Sequence, residues 1–156
     1  MDISNDAQLR ALFFDLAEEA LSRVSYEVYK IFIDEYILGM AYISNPQQYQ
    51  RTWEFMEAWD FTDIKRTINS VVTELWYDPS KMRTFNPEKF QHGSKYSSPP
   101  DIRDNLPSIL EGRRSRLWIS VDREKKFWQE FEKTFITSGR LSALMDKHMK
   151  PLGFIK

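Results

Sequence analysis

The feature that most constrains the fold is an apolar repeat in the first part of the chain. Apolar side chains recur at steps of three and four residues, which is the spacing of one face of an α-helix. The repeat comprises Leu9, Leu12, Phe13, Leu16, Ala20, Val24, Val28, Ile31 and Phe32. It predicts a helix over residues 6–35, with Ser4 or Asn5 as N-cap. At about 1.5 Å per residue this helix would be roughly 45 Å long, which is long for a small domain. A helix interrupted near residues 22–25 is the alternative.

Length and composition favour one folded domain spanning residues 1–156. A chain of 156 residues is of ordinary domain size and can bury a core without a metal or a disulfide. Hydrophobic residues make up 42% of the chain and aromatic residues 15%, which is too apolar for a disordered chain. We therefore predict a single domain that folds without a covalent or metal cross-link.

Two segments after the helix are typical of β-strands. Residues 52–61 alternate aromatic with other side chains, and residues 67–77 are rich in β-branched and aromatic side chains. The aromatic face of the first segment comprises Trp53, Phe55, Trp59 and Phe61. We expect the two segments to form an antiparallel hairpin with its bend at Thr62 and Asp63.

A long irregular loop is predicted over residues 78–104, where proline and glycine are frequent and no periodicity is visible. Loops of this length usually carry a function or become ordered on contact with a partner. A short helix over residues 101–110 and a brief buried strand over residues 117–121 are expected to follow.

Two further helices are predicted at the C-terminal end. The first begins near Asp122 and the second follows Gly139. Their apolar faces comprise Phe127, Trp128, Phe131 and Phe135 in the first, and Leu141, Leu144, Met145 and His148 in the second. Pro151 and Gly153 are expected to end the second helix. Strands between helices, without regular βαβ alternation, predict the α+β class with a small, mostly antiparallel sheet.

Charge and cysteine content narrow the classes of partner. Lys and Arg number 22 against 23 Asp and Glu, so the formal charge of −1 provides no long-range attraction for nucleic acid or an anionic membrane. With 0 cysteines, disulfides, thiolate metal sites and cysteine nucleophiles are excluded. No signal-like start and no uncharged run of about 20 residues is present, so we expect a protein made and used in solution, without membrane contact.

The sequence offers no pattern of a catalytic centre, and we predict that the chain is not an enzyme and has no cofactor or metal. His92 and His148 have no second ligand at metal-binding spacing. The adjacent carboxylates fall on polar helix faces where charge is expected anyway, and no phosphate-binding or nucleophile motif is present. His148 is interpreted as a helix-end residue that interacts with the helix dipole.

Candidate interface residues come from the basic run and the surplus of aromatic side chains. Arg113, Arg114 and Arg116 form a dense basic run between two predicted elements, followed by Trp118. Such a loop can contact DNA phosphate or the acidic rim of a protein partner. Tyr96 lies in the long loop, and exposed Trp and Tyr are enriched at protein interfaces.

Three stretches, taken in order, resemble the tail-completion and head–tail joining proteins of long-tailed bacteriophages, a family that includes minor structural tail components. The first is a long amphipathic helix leading into residues 49–52 (Tyr-Gln-Arg-Thr) and a strand ending at Trp59. The second comprises residues 90–94 followed by residues 101–103 and 106–109, and the third is a helix opening at Phe127 and Trp128 and ending over residues 150–154. The chain departs from the family pattern at Trp53, where a glycine is usual, and at the arginine run, which replaces a glycine-rich segment.

The resemblance implies a virion structural protein that assembles as a ring, sixfold in expectation, at the neck between the capsid connector and the tail. Its partners would be copies of itself, connector or adaptor proteins of the head, and tail-tube or terminator proteins of the tail. Any DNA contact would be confined to the ring lumen. The protein would be made in the host cytoplasm and would become part of the virion, in its neck or tail. Two alternatives stay open: another virion adaptor or tail terminator, and a small DNA-binding or regulatory protein that uses the loop over residues 113–116.

Overall fold

The computed structural model describes residues 5–41, 53–83, 103, 106–107 and 126–153. In chain order its elements are helix α1 (Asp6–Ile31), which continues as a π-helical stretch (Phe32–Ala41), helix α2 (Glu54–Glu57), strands β1 (Trp59–Phe61), β2 (Lys65–Arg66), β3 (Val71–Val72) and β4 (Leu75–Tyr77), a 3-10 turn (Pro79–Lys81), helix α3 (Phe127–Phe131), a π-helical stretch (Glu132–Ile136), helix α4 (Arg140–Met149) and a 3-10 turn (Lys150–Leu152). A long N-terminal helix, a small antiparallel strand set and C-terminal helices confirm the predicted α+β class.

Helix α1 begins as predicted and runs without a break. The Asn5 side chain accepts a hydrogen bond from the backbone N–H of Gln8 at 2.9 Å, which satisfies one of the unpaired donors of the first turn. The break that was left open at residues 22–25 is absent from this helix. Ser25 instead donates its hydroxyl proton to the carbonyl of Leu21 at 2.7 Å, so this polar side chain is satisfied inside the helix.

The predicted strand over residues 52–61 is wrong in its first part, because residues 54–57 form helix α2. Phe55, Ala58 and Trp59 are all buried, at 4%, 0% and 5% exposure. Their i, i+3, i+4 spacing fits one face of a helical turn as well as alternation fits a strand. Trp53 precedes the turn with φ 62°, the left-handed region that glycine adopts most readily.

The hairpin exists, but its bend lies further along the chain than predicted. Strand β1 pairs antiparallel with β4, and β2 pairs antiparallel with β3. Thr62, expected at the bend, instead pairs with the opposite side of the hairpin, because its N–H donates to the carbonyl of Glu74 at 2.9 Å. The chain turns at residues 67–70, where the Thr67 N–H donates to the Ser70 carbonyl at 2.8 Å. The hairpin therefore spans residues 59–77, shorter than the predicted pair of strands, and its tip contributes no residue to the core cluster.

The core is a cluster of aromatic side chains around Phe32, which is 0% exposed. Its ring lies 5.0 Å from those of Trp59 and Phe131. Edge-to-face pairs of this kind add to the stabilisation from area burial. The core thus joins the second part of the long helix, the base of the hairpin and helix α3.

Helices α3 and α4 correspond to the two predicted C-terminal helices, but the first begins later than predicted. Its start was expected near Asp122, whereas the helix begins at Phe127, after Lys126 in the left-handed region at φ 47°. Residues 122–125 lie outside the described residues. Gly139, with φ 87°, allows the chain to turn between the two helices. Helix α4 lies antiparallel to the long helix, since its first residue Arg140 binds Glu35 and its last turn binds Glu27 through Lys147. Gly153, with φ 83°, follows the last turn as predicted.

Part of the remaining predictions falls outside the described residues. The predicted loop over residues 78–104 begins with the 3-10 turn Pro79–Lys81, and the rest of it up to residue 102 is not described. In the predicted helix over residues 101–110, Leu106 and Pro107 are helical and Leu106 is buried. The predicted strand over residues 117–121 lies outside the described residues.

Candidate interaction surface

The most unusual region of the molecule is the first half of α1 together with the hairpin tip. We call residues 6–19 and residues 65–72 together the arm. No side chain of residues 6–19 is buried, and the first buried residue of the helix is Ala20. The arm nevertheless carries the same apolar repeat as the buried half of the helix. A helical face of this composition is normally covered by another element.

The hairpin tip is held on the helix by charged contacts centred on Arg66. Its guanidinium binds Asp15 at 2.7 Å and both carboxylate oxygens of Glu18, one of them at 2.7 Å. The hydrogen bond from Arg66 lowers the pKa of Glu18 below its ordinary value, and the two carboxylates raise the pKa of Arg66. Arg10 supports the tip from the other side by donating to the carbonyl of Ile68.

Both arginines also contact the ring of Phe14. The guanidinium carbon of Arg10 lies 5.6 Å from the ring centroid and that of Arg66 lies 5.9 Å from it. Cation–π contacts at exposed sites contribute modestly to stability. Ion pairs, one carbonyl contact and two cation–π contacts thus position the tip, without any fully buried apolar side chain in the arm.

Between the helix and the tip lies an open groove of about 480 Å³. Its apolar lining comprises Leu9, Phe13, Phe14, Ala17, Ile68 and Val71. Ile68 is 80% exposed and Phe13 is 50% exposed, so both would gain burial from a partner that enters the groove. Asp6 and Arg10 also line the groove and bring charges of opposite sign to it. The arrangement is suited to binding an apolar group flanked by charges.

The other face of the hairpin presents a second apolar surface, which we call the hairpin knob and which comprises Val72 and Trp76. These side chains are 40% and 43% exposed. Residues 71–77 alternate strictly between less and more exposed side chains, so Val72, Glu74 and Trp76 share the outward face. Lys65 is paired directly opposite Val72 and lies on the same face.

Several charged groups outside the arm bind a partner on another element. Glu35 binds Arg140 with two hydrogen bonds of 2.8 and 2.9 Å, which lowers the pKa of the carboxyl. Glu27 binds Lys147 and His148, each at 2.8 Å. The prediction for His148 was incomplete, because this residue, although close to a helix end, is paired with a carboxylate of α1. These contacts join α1 to α4.

Among the described residues, no group of three or more histidine or carboxylate side chains could hold a metal ion. Within the same ranges, no helix combines the length and the apolar character required to cross a bilayer.

The interface residues predicted from sequence lie outside the described residues. They are Tyr96, Arg113, Arg114, Arg116 and Trp118. Sequence reasoning missed the arm because Leu9 and Phe13 were assigned to the same face as the core residues further along the helix. One signal could have revealed it, namely that the predicted helix was longer than a domain of this size can cover.

The chain was compared with known protein families, curated proteins and solved structures. No protein-family model, no curated protein and no solved structure matches the chain.

Proposed function

We propose that this chain is a non-enzymatic structural subunit of a bacteriophage particle that acts in tail completion or head–tail joining. Copies would form a ring at the neck, between the capsid connector and the tail. The observation that carries the proposal is the arm, where an apolar helix face and a hairpin tip project with no buried residue over residues 6–19. The position in the particle rests on the sequence resemblance described above.

The exposed apolar groups of the arm favour assembly as the role of this region. Leu9, Phe13 and Ile68 are all exposed and lie around one groove. Contiguous exposed apolar surface on a folded chain is typical of a protein-binding site. Burial of such surface contributes about 25 cal/mol per Å² of apolar area to association, before the costs of ordering are subtracted.

The acidic and basic groups of the described chain also favour a structural role. Arg66, Arg140 and Lys147 each bind a carboxylate and thereby join two elements of the fold. Acid–base catalysis instead requires groups held with pKa values matched to proton transfer. Carboxyls such as Glu18, Glu27 and Glu35 have lowered pKa values because of their cationic partners, so they stay ionised at neutral pH.

The test is the mass of the purified protein by light scattering, repeated after mixing with capsids that lack tails. We expect either a closed ring in solution or a monomer that becomes bound to the capsid. A stable monomer that ignores both its own copies and capsids would contradict the proposal.

A matched pair of variants on one helix shows whether the arm is responsible. Phe13→Asp introduces a charge on the groove, and we expect it to weaken assembly or capsid binding by at least about tenfold. Tyr26→Asp is the control, because Tyr26 is 71% exposed on the same helix but lies beyond the arm. Equal loss of assembly in both variants would mean that the arm has no special part in it.

A further inference from the structure

We infer that the hairpin knob of one copy binds the arm groove of the next copy, so that the subunits associate head to tail. This inference rests on the proposed function, since it names the contact through which the subunit would assemble. Its evidence is the presence, on one chain, of an exposed apolar knob on the hairpin and an exposed apolar groove between the helix and the hairpin tip, with complementary charges beside them.

The knob and the groove of one molecule cannot contact each other. Val71 lines the groove, whereas Val72, the next residue, is paired with Lys65 on the other face of the hairpin. Successive side chains of a strand point to opposite faces of the sheet. A contact between these two surfaces must therefore involve two molecules. Because the two surfaces differ, the contact is heterologous and repeats from copy to copy until a ring closes.

The charges beside the two surfaces complement each other in sign and spacing. On the groove, Asp6 and Arg10 are four residues apart on a helix, which separates them by about 6 Å along the axis. On the knob face, Glu74 is two strand residues beyond the Val72–Lys65 pair, a separation of about 7 Å. One docking orientation thus places Lys65 against Asp6 and Glu74 against Arg10.

Arg10 can bind Glu74 of the next copy while it holds the hairpin tip of its own chain. Its guanidinium carries five N–H donors, and one terminal nitrogen contacts the carbonyl of Ile68 and the side chain of Asn69. The tip contact also fixes the orientation of Arg10 before the partner arrives. An ion pair at the rim of an interface contributes mainly to orientation and rate of association, whereas the apolar contact of Trp76 supplies most of the affinity.

A second copy is the occupant that this pattern favours. The apolar and charged features of the groove are matched by features present on the same chain, so no other protein is required to provide them. The knob carries one valine and one tryptophan, with Lys65 beside the valine and Glu74 between the two apolar side chains. It suits a groove with apolar walls and one charge of each sign.

The test uses two variants that each remove one side of the contact. Trp76→Ala removes the knob and leaves the groove intact, whereas Ile68→Asp spoils the groove and leaves the knob intact. Both side chains are exposed, so the fold should persist, and circular dichroism would check this. We expect each variant alone to associate at least about tenfold more weakly than the wild type. An equal mixture of the two should form a one-to-one heterodimer through the remaining good contact.

The control and the opposing outcomes separate this inference from the proposed function. Ile136→Asp, at an exposed isoleucine outside the arm and the knob, should assemble as the wild type does. If the wild type assembles and both variants also assemble normally, the interface is wrong but the proposed function stands. If both variants fail alone and also fail when mixed, the contact is not head to tail. A wild type that neither self-associates nor binds capsids would overturn both proposals.

Charge reversal provides a second measurement that does not depend on the apolar groups. Lys65→Glu and Asp6→Lys should each weaken association, because each creates a like-charge pair across the interface. The double variant should recover most of the loss, since it restores an opposite-charge pair. An additive loss in the double variant would contradict the assignment of Lys65 to Asp6.

Discussion

The first half of the long helix, residues 6–19, and its second half, residues 20–41, share one apolar spacing but have different surroundings. In the second half, Val24, Val28 and Phe32 are buried against the hairpin base and the C-terminal helices. In the first half, the equivalent positions Leu9 and Phe13 remain exposed beside a groove. The periodicity of a sequence therefore reports that a helix face needs cover, but does not report whether the same chain provides it.

The largest expected effect is the difference in lost stability when the same substitution is made in each half of the long helix. Phe32→Ala should lower the free energy of unfolding by about 3–5 kcal/mol, because it leaves a cavity among packed rings. Phe13→Ala, the same change in the arm, should lower it by less than about 1 kcal/mol, because half of that ring is already exposed to solvent. Urea unfolding of both variants measures the difference. Similar losses in the two variants would remove the distinction between the halves.

A smaller effect on stability is expected from the ion pair that joins the second half of the long helix to α4. Glu35 and Arg140 form a bidentate pair that remains partly exposed to solvent. A double-mutant cycle with Glu35→Gln and Arg140→Gln should give a coupling energy of at most about 1 kcal/mol. A coupling of several kcal/mol would show that this contact, and not the aromatic core, determines how α4 is held.

A local effect is expected from Arg66→Ala, which removes the cation that joins the tip to Asp15 and Glu18. We expect faster hydrogen exchange of the backbone amides over residues 65–72, because the tip loses its main contact with the helix. The urea midpoint should stay unchanged, since the core contains no arm residue. Unchanged exchange at the tip would mean that the groove lining holds the tip without the arginine. Lys81→Ala, which breaks the pair with Asp60 at the hairpin base, is the matched control.

The smallest expected effect is a pH dependence of how firmly Arg66 and Glu18 hold the hairpin tip on the helix. The Arg66 hydrogen bond holds the pKa of Glu18 below its ordinary value of 4.5. A carboxyl whose pKa is lower in the folded state stabilises that state above its unfolded pKa, and this contribution is lost as the pH falls through the folded pKa. The tip should therefore loosen only in acid. Carboxyl NMR of Glu18 in Arg66→Ala should show its pKa rising towards 4.5, and an unchanged titration would disprove the contact.

Much of the fold was predicted from local patterns, and the two errors arose where a local pattern is compatible with more than one structure. The long helix, its Asn5 cap and the two C-terminal helices were predicted because helical spacing over many residues has few alternative interpretations. The segment at residues 54–57 was predicted as a strand because Phe55 and Trp59 fit both periods over so short a run. The bend was placed too early because turn residues at 62–63 are also compatible with an irregular stretch of an antiparallel ladder.

The length of the predicted helix indicates that part of it stays uncovered, but the groove and the Arg66 cluster could not be predicted, because they depend on which residues lie near each other in space. The Arg66 cluster joins residues about 50 positions apart in the chain, and each of its members is an ordinary charged residue in its local context. The groove likewise combines a helix face with the tip of a hairpin whose bend was misplaced. Only the location of the bend at residues 67–70 brings Ile68 and Val71 to the helix.

The sequence by itself determined the class of fold, the long amphipathic helix, the aromatic composition of the core and the balanced charge. These properties are local or additive, so each residue contributes to them independently of its distant neighbours. The tertiary structure decided which part of the apolar helix face is covered and which part stays exposed beside a groove. That outcome depends on how far the other elements extend along the long helix. Phe127 and Phe131, for example, cover it only where helix α3 packs against it.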